Sequence, residues 1–185
     1  MSMFVSIIAQ IHATWALLKR HQICWSGAKI SVLVMIASPE HRRQILENFL
    51  SPKPERPLIV ILGPTASGKT AFSISLAQEL RKNWGETSEV VNADSRQFYK
   101  GFDIGTAKIT SEQQQGIVHH LIDVLEPQEH CSISWYASEA KRVIAEIHAR
   151  GHLPILVGGS MLYMSALVDG LEPLVDGEKF VLINH

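Results

Sequence analysis

The sequence lacks the features that mark several protein classes. Its two cysteines, Cys24 and Cys131, form no CxxC pair, which argues against a zinc site or a disulfide framework and favours a reducing compartment. The longest apolar run, residues 30–38, covers nine positions, whereas a membrane-spanning helix needs about 20. We therefore expect no membrane partner, and we predict no stable protein partner.

The chain also lacks a dominant charge. It has 17 lysines and arginines against 18 acidic residues and a formal net charge of −1. No overall basic field indicates a nucleic-acid partner, although a local basic patch would not show in this sum. The composition is 46% apolar and 19% charged, which is typical of a globular protein with a hydrophobic core.

Acidic residues are absent from residues 1–39, which contain Lys19, Arg20 and Lys29. An acid-poor, basic start is typical of an organellar transit peptide, but this segment has few arginines and ends in an apolar stretch. We favour a loosely constrained extension, or a stretch translated from a misplaced start. A cytoplasmic location is therefore expected.

Residues 1–57 are interpreted as this extension together with a linker, in part disordered or helical. A short helix is predicted over residues 40–50, with Ser38 as its N-cap and Pro39 at its first position. Three prolines follow within residues 51–57. They interrupt both helix and strand, which indicates a linker.

Residues 58–174 are predicted to form the core, and residues 175–185 a divergent tail. In the core, short apolar runs alternate with segments of helical periodicity. This alternation is typical of an α/β fold with a parallel sheet and helices on both faces. The predicted strands are 58–62, 89–92, 120–124 and 154–157, and the predicted helices are 69–81, 132–150 and 160–168.

The first predicted strand leads into GPTASGKT at residues 63–70, which satisfies the P-loop pattern GxxxxGK[ST]. Its glycines let backbone N–H groups form an anion site at a helix N-terminus. Lys69 would place its charge on a terminal phosphate, and the Thr70 hydroxyl would ligate Mg²⁺. The predicted diphosphate-binding or nucleotide-binding residues are Gly63, Pro64, Thr65, Ala66, Ser67, Gly68, Lys69 and Thr70.

A P-loop by itself does not distinguish phosphoryl transfer, nucleotide hydrolysis and departure of a diphosphate. Asp94 bears on this choice, because it lies just past the carboxyl end of the second strand, where ligands of open α/β sheets bind. Three roles are open to it: a Mg²⁺ ligand through water, a general base, or the N-cap of the following turn. Spacing alone slightly favours the N-cap.

Five segments, in this order, resemble one family. They are GPTASGKT (63–70), NADSRQFYKGFDIGTAK (92–108), HHLIDVLEP (119–127), SISWYASEA (132–140) and PILVGGSMLYMSALVDGL (154–171). Together they are similar to the N-terminal half of the tRNA dimethylallyltransferases, also called tRNA isopentenyltransferases or the IPP transferase family. The resemblance covers about residues 58–174 and implies a P-loop NTPase-like α/β fold that is truncated here.

This resemblance also implies a reaction. The dimethylallyl group of dimethylallyl diphosphate moves to the exocyclic amine of an adenosine beside the tRNA anticodon, diphosphate leaves, and Mg²⁺ is used. It implies that Asp94 is the general base, that Lys69 and Thr65 are also catalytic, and that Thr65 and Ser67 meet the diphosphate donor. The positions that match tRNA contacts of the family are Asp94, Ser95, Arg96, Gln97 and Ser160.

The chain departs from the family pattern after residue 174. Family members continue with a helical insertion that grips the anticodon stem-loop and with a C-terminal part that completes the sheet. We therefore expect an enzyme whose independent activity is open. Three alternatives remain: an adenylate isopentenyltransferase with a free nucleotide as acceptor, a P-loop small-molecule kinase, and an inactive diphosphate-binding fragment.

Other residues of these segments allow both a functional and a structural interpretation. His119 and His120 could meet phosphate, although paired histidines before a strand are more often structural. The glycine-punctuated loop at 101–108 could follow RNA phosphates, or be a plain turn with a solvated Lys108. Gly158 is expected to permit a close backbone approach at a strand end.

Overall fold

The computed structural model describes residues 30–34, 39–51, 53, 56–63, 66–159, 163, 166–167, 172–173 and 180–181. The strands are β1 (Ile30–Val34), β2 (Leu58–Leu62), β3 (Ser88–Asn92), β4 (His119–His120), β5 (Leu153–Gly158), β6 (Glu172–Pro173) and β7 (Phe180–Val181). The helices are α1 (Pro39–Leu50), α2 (Lys69–Trp84), α3 (Ser111–Gln114) and α4 (Ile133–Ala149), and a 3₁₀ turn spans Ser95–Gln97.

Strands β1 to β5 form one parallel sheet in the order β1-β2-β5-β3-β4, and β6 pairs with β7 in a separate antiparallel pair. Within the sheet, Leu62 pairs with Gly158 and Asn92 pairs with Val157. The carboxyl ends of β2, β5 and β3 therefore meet at one edge of the sheet. This is the edge at which open α/β sheets bind ligands.

Helices cover both faces of the sheet, and the predicted fold class is confirmed. Because neighbouring residues of a strand point to opposite faces, Ile155 and Leu156 of β5 enter different core clusters. Leu156 packs with Ile144 of α4 in one cluster. Ile155 packs with Leu46 of α1 and Leu80 of α2 in the other. Each fully buried aliphatic side chain contributes about 1.5–3 kcal/mol, so the sheet provides a firm base for the edge.

Helix α2 continues to Trp84, beyond its predicted end at residue 81. Gly85 ends it, with φ 69°. The N–H of Gly85 donates to the Arg81 carbonyl, and the N–H of Glu86 donates to the Leu80 carbonyl, both at 3.2 Å. The bond from Gly85 to Arg81 is that of an αL cap, and the two bonds together satisfy carbonyls in the last turns of the helix.

The strand predicted over residues 120–124 is wrong, because β4 contains only His119–His120. Leu121 and Asp123 have φ values of 58° and 54°, in the left-handed region that strand residues do not adopt. The chain turns there instead. The N–H of Asp123 donates to the Gln97 carbonyl at 3.1 Å, which ties the turn to the segment after β3.

Two elements come from the region interpreted as an extension and linker. The helix predicted over residues 40–50 is present as α1 and begins at Pro39. Strand β1 was not predicted, and it pairs with β2 along its whole length, from Ile30 with Leu58 to Val34 with Leu62. The division of the chain at residues 57 and 174 stays a prediction.

Several predictions fall outside the described residues. Ser38 is one of them, and the helix predicted over residues 160–168 is described only at Tyr163, Ala166 and Leu167, which are helical. None of the helices in the described part of the chain has the length and apolarity that a membrane crossing requires.

Candidate functional site

The loop predicted to bind an anion follows β2. Ala66 and Gly68 have φ values of 62° and 83°, and α2 begins directly after Gly68 with no side-chain cap on its N-terminus. The first N–H groups of α2 therefore lack a side-chain acceptor at the cap, which suits a bound phosphate. Pro64 and Thr65 lie outside the described residues, so their roles stay predictions.

Lys69, the first residue of α2, is half-buried beside the end of β5. A Cβ at Gly159 would lie 3.7 Å from Lys69 Nζ. Burial lowers the pKa of Lys69, the negative charge of Asp94 opposes this, and Arg96 adds to the lowering. The ammonium group and the Asp94 carboxylate are therefore close enough to interact electrostatically.

Thr70 is exposed and lines the same cavity as Lys69. Ser73 Oγ donates to the Thr70 carbonyl oxygen at 2.8 Å, which fixes this turn of α2. Among the described residues, no three histidine, cysteine, aspartate or glutamate side chains are grouped to hold a metal ion. Mg²⁺ usually takes one or two protein oxygens together with phosphate and water oxygens, so the Thr70 hydroxyl beside a bound diphosphate fits this ion.

Asp94 lies just past β3 and also lines the cavity. Its Oδ1 accepts a hydrogen bond from the Arg96 N–H at 3.1 Å and caps the 3₁₀ turn. Arg96 Nε lies 3.5 Å from the same oxygen, and 25% of the Asp94 side chain is exposed. The N-cap role is therefore present. Capping does not exclude a catalytic role for Asp94, because a carboxylate has about four acceptor positions.

The residues predicted to contact tRNA divide into three groups. Gln97 lines the cavity together with Asp94. Arg96 is exposed and Ser95 is half-buried, and neither belongs to the cavity wall. Ser160 lies outside the described residues.

The cavity at this edge has a volume of about 310 Å³. The P-loop and Asp94 form a charged part of its wall, and the rest combines polar and apolar side chains. The apolar wall residues are Val90, Ala107, Ile109, Ile122 and Val157. A concave site with a few charged groups and a partly apolar wall suits a small organic ligand that carries an anionic group.

Gly158 brings the ends of β5 and β3 together. A Cβ at this position would lie 2.6 Å from the Ala93 carbonyl oxygen and 2.7 Å from the Ala93 Cβ. Any larger residue would push Ala93, and with it Asp94, away from β5. The close approach expected from the sequence is confirmed.

Lys108 is not solvated, so the interpretation of this loop as a plain turn with a solvated lysine is wrong. Contact of the loop with RNA phosphates stays a prediction, and Lys108 is not available for it. Its side chain is 4% exposed. Its Nζ donates to the Tyr99 carbonyl and to Asp103 Oδ1, each at 2.7 Å, and to Asp123 Oδ1. Burial alone would lower the pKa of Lys108, but the bonds with these two carboxylates raise it. Lys108 therefore fastens the glycine-punctuated loop to the turn after β4.

The two histidines of β4 have different surroundings. His119 lines the cavity, and its Nδ1 lies 2.8 Å from the Ile117 carbonyl oxygen. Burial lowers its pKa, which favours the neutral ring. His120 Nε2 lies 2.6 Å from Glu89 Oε2, which favours the structural interpretation for this residue.

Glu89 itself gave no signal in the sequence, because it resembles any polar residue at the start of a strand. Its side chain is 5% exposed. Arg150 donates two hydrogen bonds to it, at 3.0 and 2.8 Å, and His152 Nδ1 lies 2.6 Å away. Burial alone would raise the pKa of Glu89, but its bonds with Arg150, His120 and His152 lower it to about 2.

Comparisons with known proteins find a family model and relatives that this chain resembles. Residues 97–181 match the family model described as IPP transferase. The chain is 48% identical over 116 residues to the tRNA dimethylallyltransferase of Kocuria rhizophila and 55% identical over 111 residues to that of Corynebacterium diphtheriae. These matches cover 63% and 60% of this chain and 35% of each relative.

The resemblance to the tRNA dimethylallyltransferase family is confirmed. Solved structures agree with it. The full-length tRNA isopentenylpyrophosphate transferase of Bacillus halodurans is 45% identical, with a TM-score of 0.58 over 66% of this chain and 38% of that one. A eukaryotic dimethylallyltransferase acting on tRNA is 36% identical, with a TM-score of 0.56 over 64% and 27%. The chain thus spans little more than a third of the tRNA dimethylallyltransferases that it matches in sequence.

Proposed function

We propose that this chain provides the diphosphate-binding part of a tRNA dimethylallyltransferase. In this proposal it transfers the dimethylallyl group of dimethylallyl diphosphate to the exocyclic amine of an adenosine beside the tRNA anticodon. The observation that carries the proposal is that Lys69 of the P-loop and Asp94 line one cavity. In this proposal, the binding site for the leaving diphosphate adjoins the base for the incoming amine.

The P-loop supports departure of the diphosphate. As the carbon–oxygen bond of the donor breaks, its electron pair stays on the diphosphate oxygen, and negative charge grows there. In this proposal Lys69 and the N–H groups at the start of α2 stabilise this charge. Electrostatic stabilisation of a developing charge makes the largest contribution to the rate acceleration in many enzymes. The family resemblance implies that Thr65 and Ser67 also contact the diphosphate.

Asp94 supports attack by the acceptor. The amine nitrogen forms a bond to the carbon that the diphosphate leaves, and Asp94 takes the proton that the nitrogen loses. An amine on an aromatic ring is a weak nucleophile, so a positioned carboxylate is useful. The adenosine has to leave its base stack to reach a cavity of this size, and Ser95, Arg96, Gln97 and Ser160 are proposed to contact the tRNA there.

Mg²⁺ is part of the proposal. The Thr70 hydroxyl would hold the ion together with oxygens of the diphosphate. When bound, the ion neutralises charge on the leaving group. A cytoplasmic location also stays a proposal, in keeping with tRNA as the substrate.

The test is a transfer assay on the full chain. Labelled dimethylallyl diphosphate is incubated with an anticodon stem-loop RNA, with AMP, or with ATP and no acceptor. We expect label in the RNA. We expect Asp94→Asn to lower the rate about 10²–10⁴-fold, the usual share of a general base, without weakening donor binding.

Glu146→Gln is the control, because Glu146 is an exposed carboxylate on α4 that pairs with Arg142 and lies outside the cavity wall. Label in AMP alone would indicate that the acceptor is a free nucleotide and not tRNA. ATP turnover without transfer would favour a kinase. Diphosphate binding without any transfer would leave only a binding fragment and overturn the proposed activity.

A further inference from the structure

Asn92, the last residue of β3, is a buried residue whose side-chain oxygen and nitrogen both make hydrogen bonds. It is 6% exposed. Its Oδ1 accepts from the Asp94 N–H at 3.0 Å, and its Nδ2 donates to the Asp94 carbonyl oxygen at 3.0 Å. Nδ2 also donates to the Leu121 carbonyl oxygen at 2.9 Å. Both donors and the acceptor of the carboxamide therefore bind main-chain groups.

These bonds hold the backbone of Asp94 on both sides of its Cα atom. Asp94 has φ −108° and ψ 109°, the extended geometry of an N-cap residue. In this geometry its carboxylate accepts from the Arg96 N–H at 3.1 Å. A rotation about either backbone bond would break a hydrogen bond to Asn92. Asn92 therefore fixes the backbone from which the carboxylate extends, and the Arg96 N–H holds the carboxylate itself.

The third bond reaches the turn after β4. Leu121 has φ 58°, a conformation that persists in such a residue only where the surroundings fix it. The next residue but one, Asp123, donates its N–H to the Gln97 carbonyl at 3.1 Å. Asn92 therefore holds Asp94 directly. It also holds the turn after β4, which binds the Gln97 carbonyl through the Asp123 N–H.

We infer that Asn92 is a positioning residue, which fixes Asp94 and Gln97 in the cavity wall for the transfer. Asn92 itself also lines the cavity. Both of its N–H donors and one acceptor position of its Oδ1 are already bound to main-chain groups, so we assign its effect to these two residues. Its effect on the rate rests on the proposed function. Its effect on the backbone of Asp94 can be measured without any turnover.

The test compares two substitutions of Asn92 with two controls. Asn92→Ala removes all three bonds. Asn92→Asp keeps the size and one acceptor, but sets a carboxylate oxygen against the Asp94 and Leu121 carbonyls. Tyr136→Phe removes the hydroxyl that donates to the Asn92 carbonyl at 3.3 Å and leaves the carboxamide intact. Ser88→Ala changes a buried residue of the same strand whose hydroxyl has no partner among the described residues.

Backbone amide exchange is the first measurement. In Asn92→Ala we expect the Asp94 and Arg96 amides to exchange about tenfold faster or more, because their bonds open without global unfolding. Asn92→Asp keeps the acceptor of the Asp94 N–H, so there we expect the faster exchange at Arg96. Amides of β2 and β5, and both controls, should stay near wild type. Unchanged Asp94 exchange in Asn92→Ala, or an equal rise throughout the sheet, would overturn the inference.

The transfer assay is the second measurement. We expect kcat to fall about 10–100-fold in the Asn92 variants, as a small misplacement of a reacting group does, while KM for dimethylallyl diphosphate stays unchanged. Faster exchange with a wild-type kcat would overturn the positioning role. If the wild-type chain transfers nothing, the proposed function fails, and the exchange rates alone decide whether Asn92 fixes Asp94.

Discussion

Gly158→Ala should disturb both the stability of the protein and the position of Asp94. The added methyl group would lie 2.6 Å from the Ala93 carbonyl oxygen and 2.7 Å from the Ala93 Cβ. Ala93 cannot move away freely, because its N–H donates to the Val157 carbonyl at 2.8 Å. Relief therefore requires the ends of β3 and β5 to separate, which displaces the residue that follows Ala93.

Overpacking of a rigid core usually costs about 1–3 kcal/mol. A clash with main-chain atoms belongs in the upper part of that range, so we expect a loss of about 2–3 kcal/mol and a fall in Tm of roughly 4–12 °C for a chain of this size. Urea unfolding and thermal melting followed by circular dichroism measure both quantities.

Gly105→Ala is the matched control, since a Cβ at Gly105 would meet nothing within 4 Å. Its stability should equal that of the wild type or slightly exceed it. If Gly158→Ala is as stable as Gly105→Ala, the close approach of β3 and β5 is not a constraint, and the reasoning is refuted. We also expect slower prenyl transfer in Gly158→Ala, if the proposed function holds.

Two further predictions concern buried charges. The Glu89 pKa of about 2 lies below the ordinary value of 4.5, so the ionised carboxylate stabilises the folded state by on the order of 3 kcal/mol. This stabilisation is present above pH 4.5 and is lost as the pH falls toward 2. Glu89→Gln should lack it, and the difference in unfolding free energy from wild type should shrink between pH 5 and pH 2; a constant difference would contradict this. Lys108→Met should cost about 1–3 kcal/mol, because the Tyr99 carbonyl loses its donor. Lys100→Met, which removes a lysine in an exposed pair, should stay within about 1 kcal/mol, and equal losses in the two would argue against the buried role of Lys108.

Local sequence signals predicted the elements that depend on neighbouring residues. The apolar run of β2 has the predicted bounds, and α4 begins after Ser132, whose Oγ accepts from the Trp135 N–H at 3.0 Å. The same signals failed at Leu121, where an apolar run predicted a strand. Periodicity reports which side chains are apolar, but it does not report a left-handed backbone that is held by distant partners.

Charged residues show the same limit. Lys108 looks like a solvated lysine in a glycine-rich loop, and Glu89 looks like an ordinary polar residue. Their burial depends on partners that lie far along the chain, such as Asp123 for Lys108 and Arg150 for Glu89. No local pattern encodes these pairs, because they exist only after β3, β4 and β5 have assembled.

The sequence by itself determined the P-loop pattern, the parallel α/β class and the resemblance to the tRNA dimethylallyltransferases, since each rests on contiguous motifs whose chemistry is local. Only the tertiary structure decided that Lys69 and Asp94 line one cavity, because they lie at the ends of different strands and meet through the order of the sheet. It also decided that Asp94 is both an N-cap and a cavity residue. The carboxamide of Asn92 holds the Asp94 backbone in the position that serves both roles. It does so through bonds to main-chain groups, which the sequence does not show.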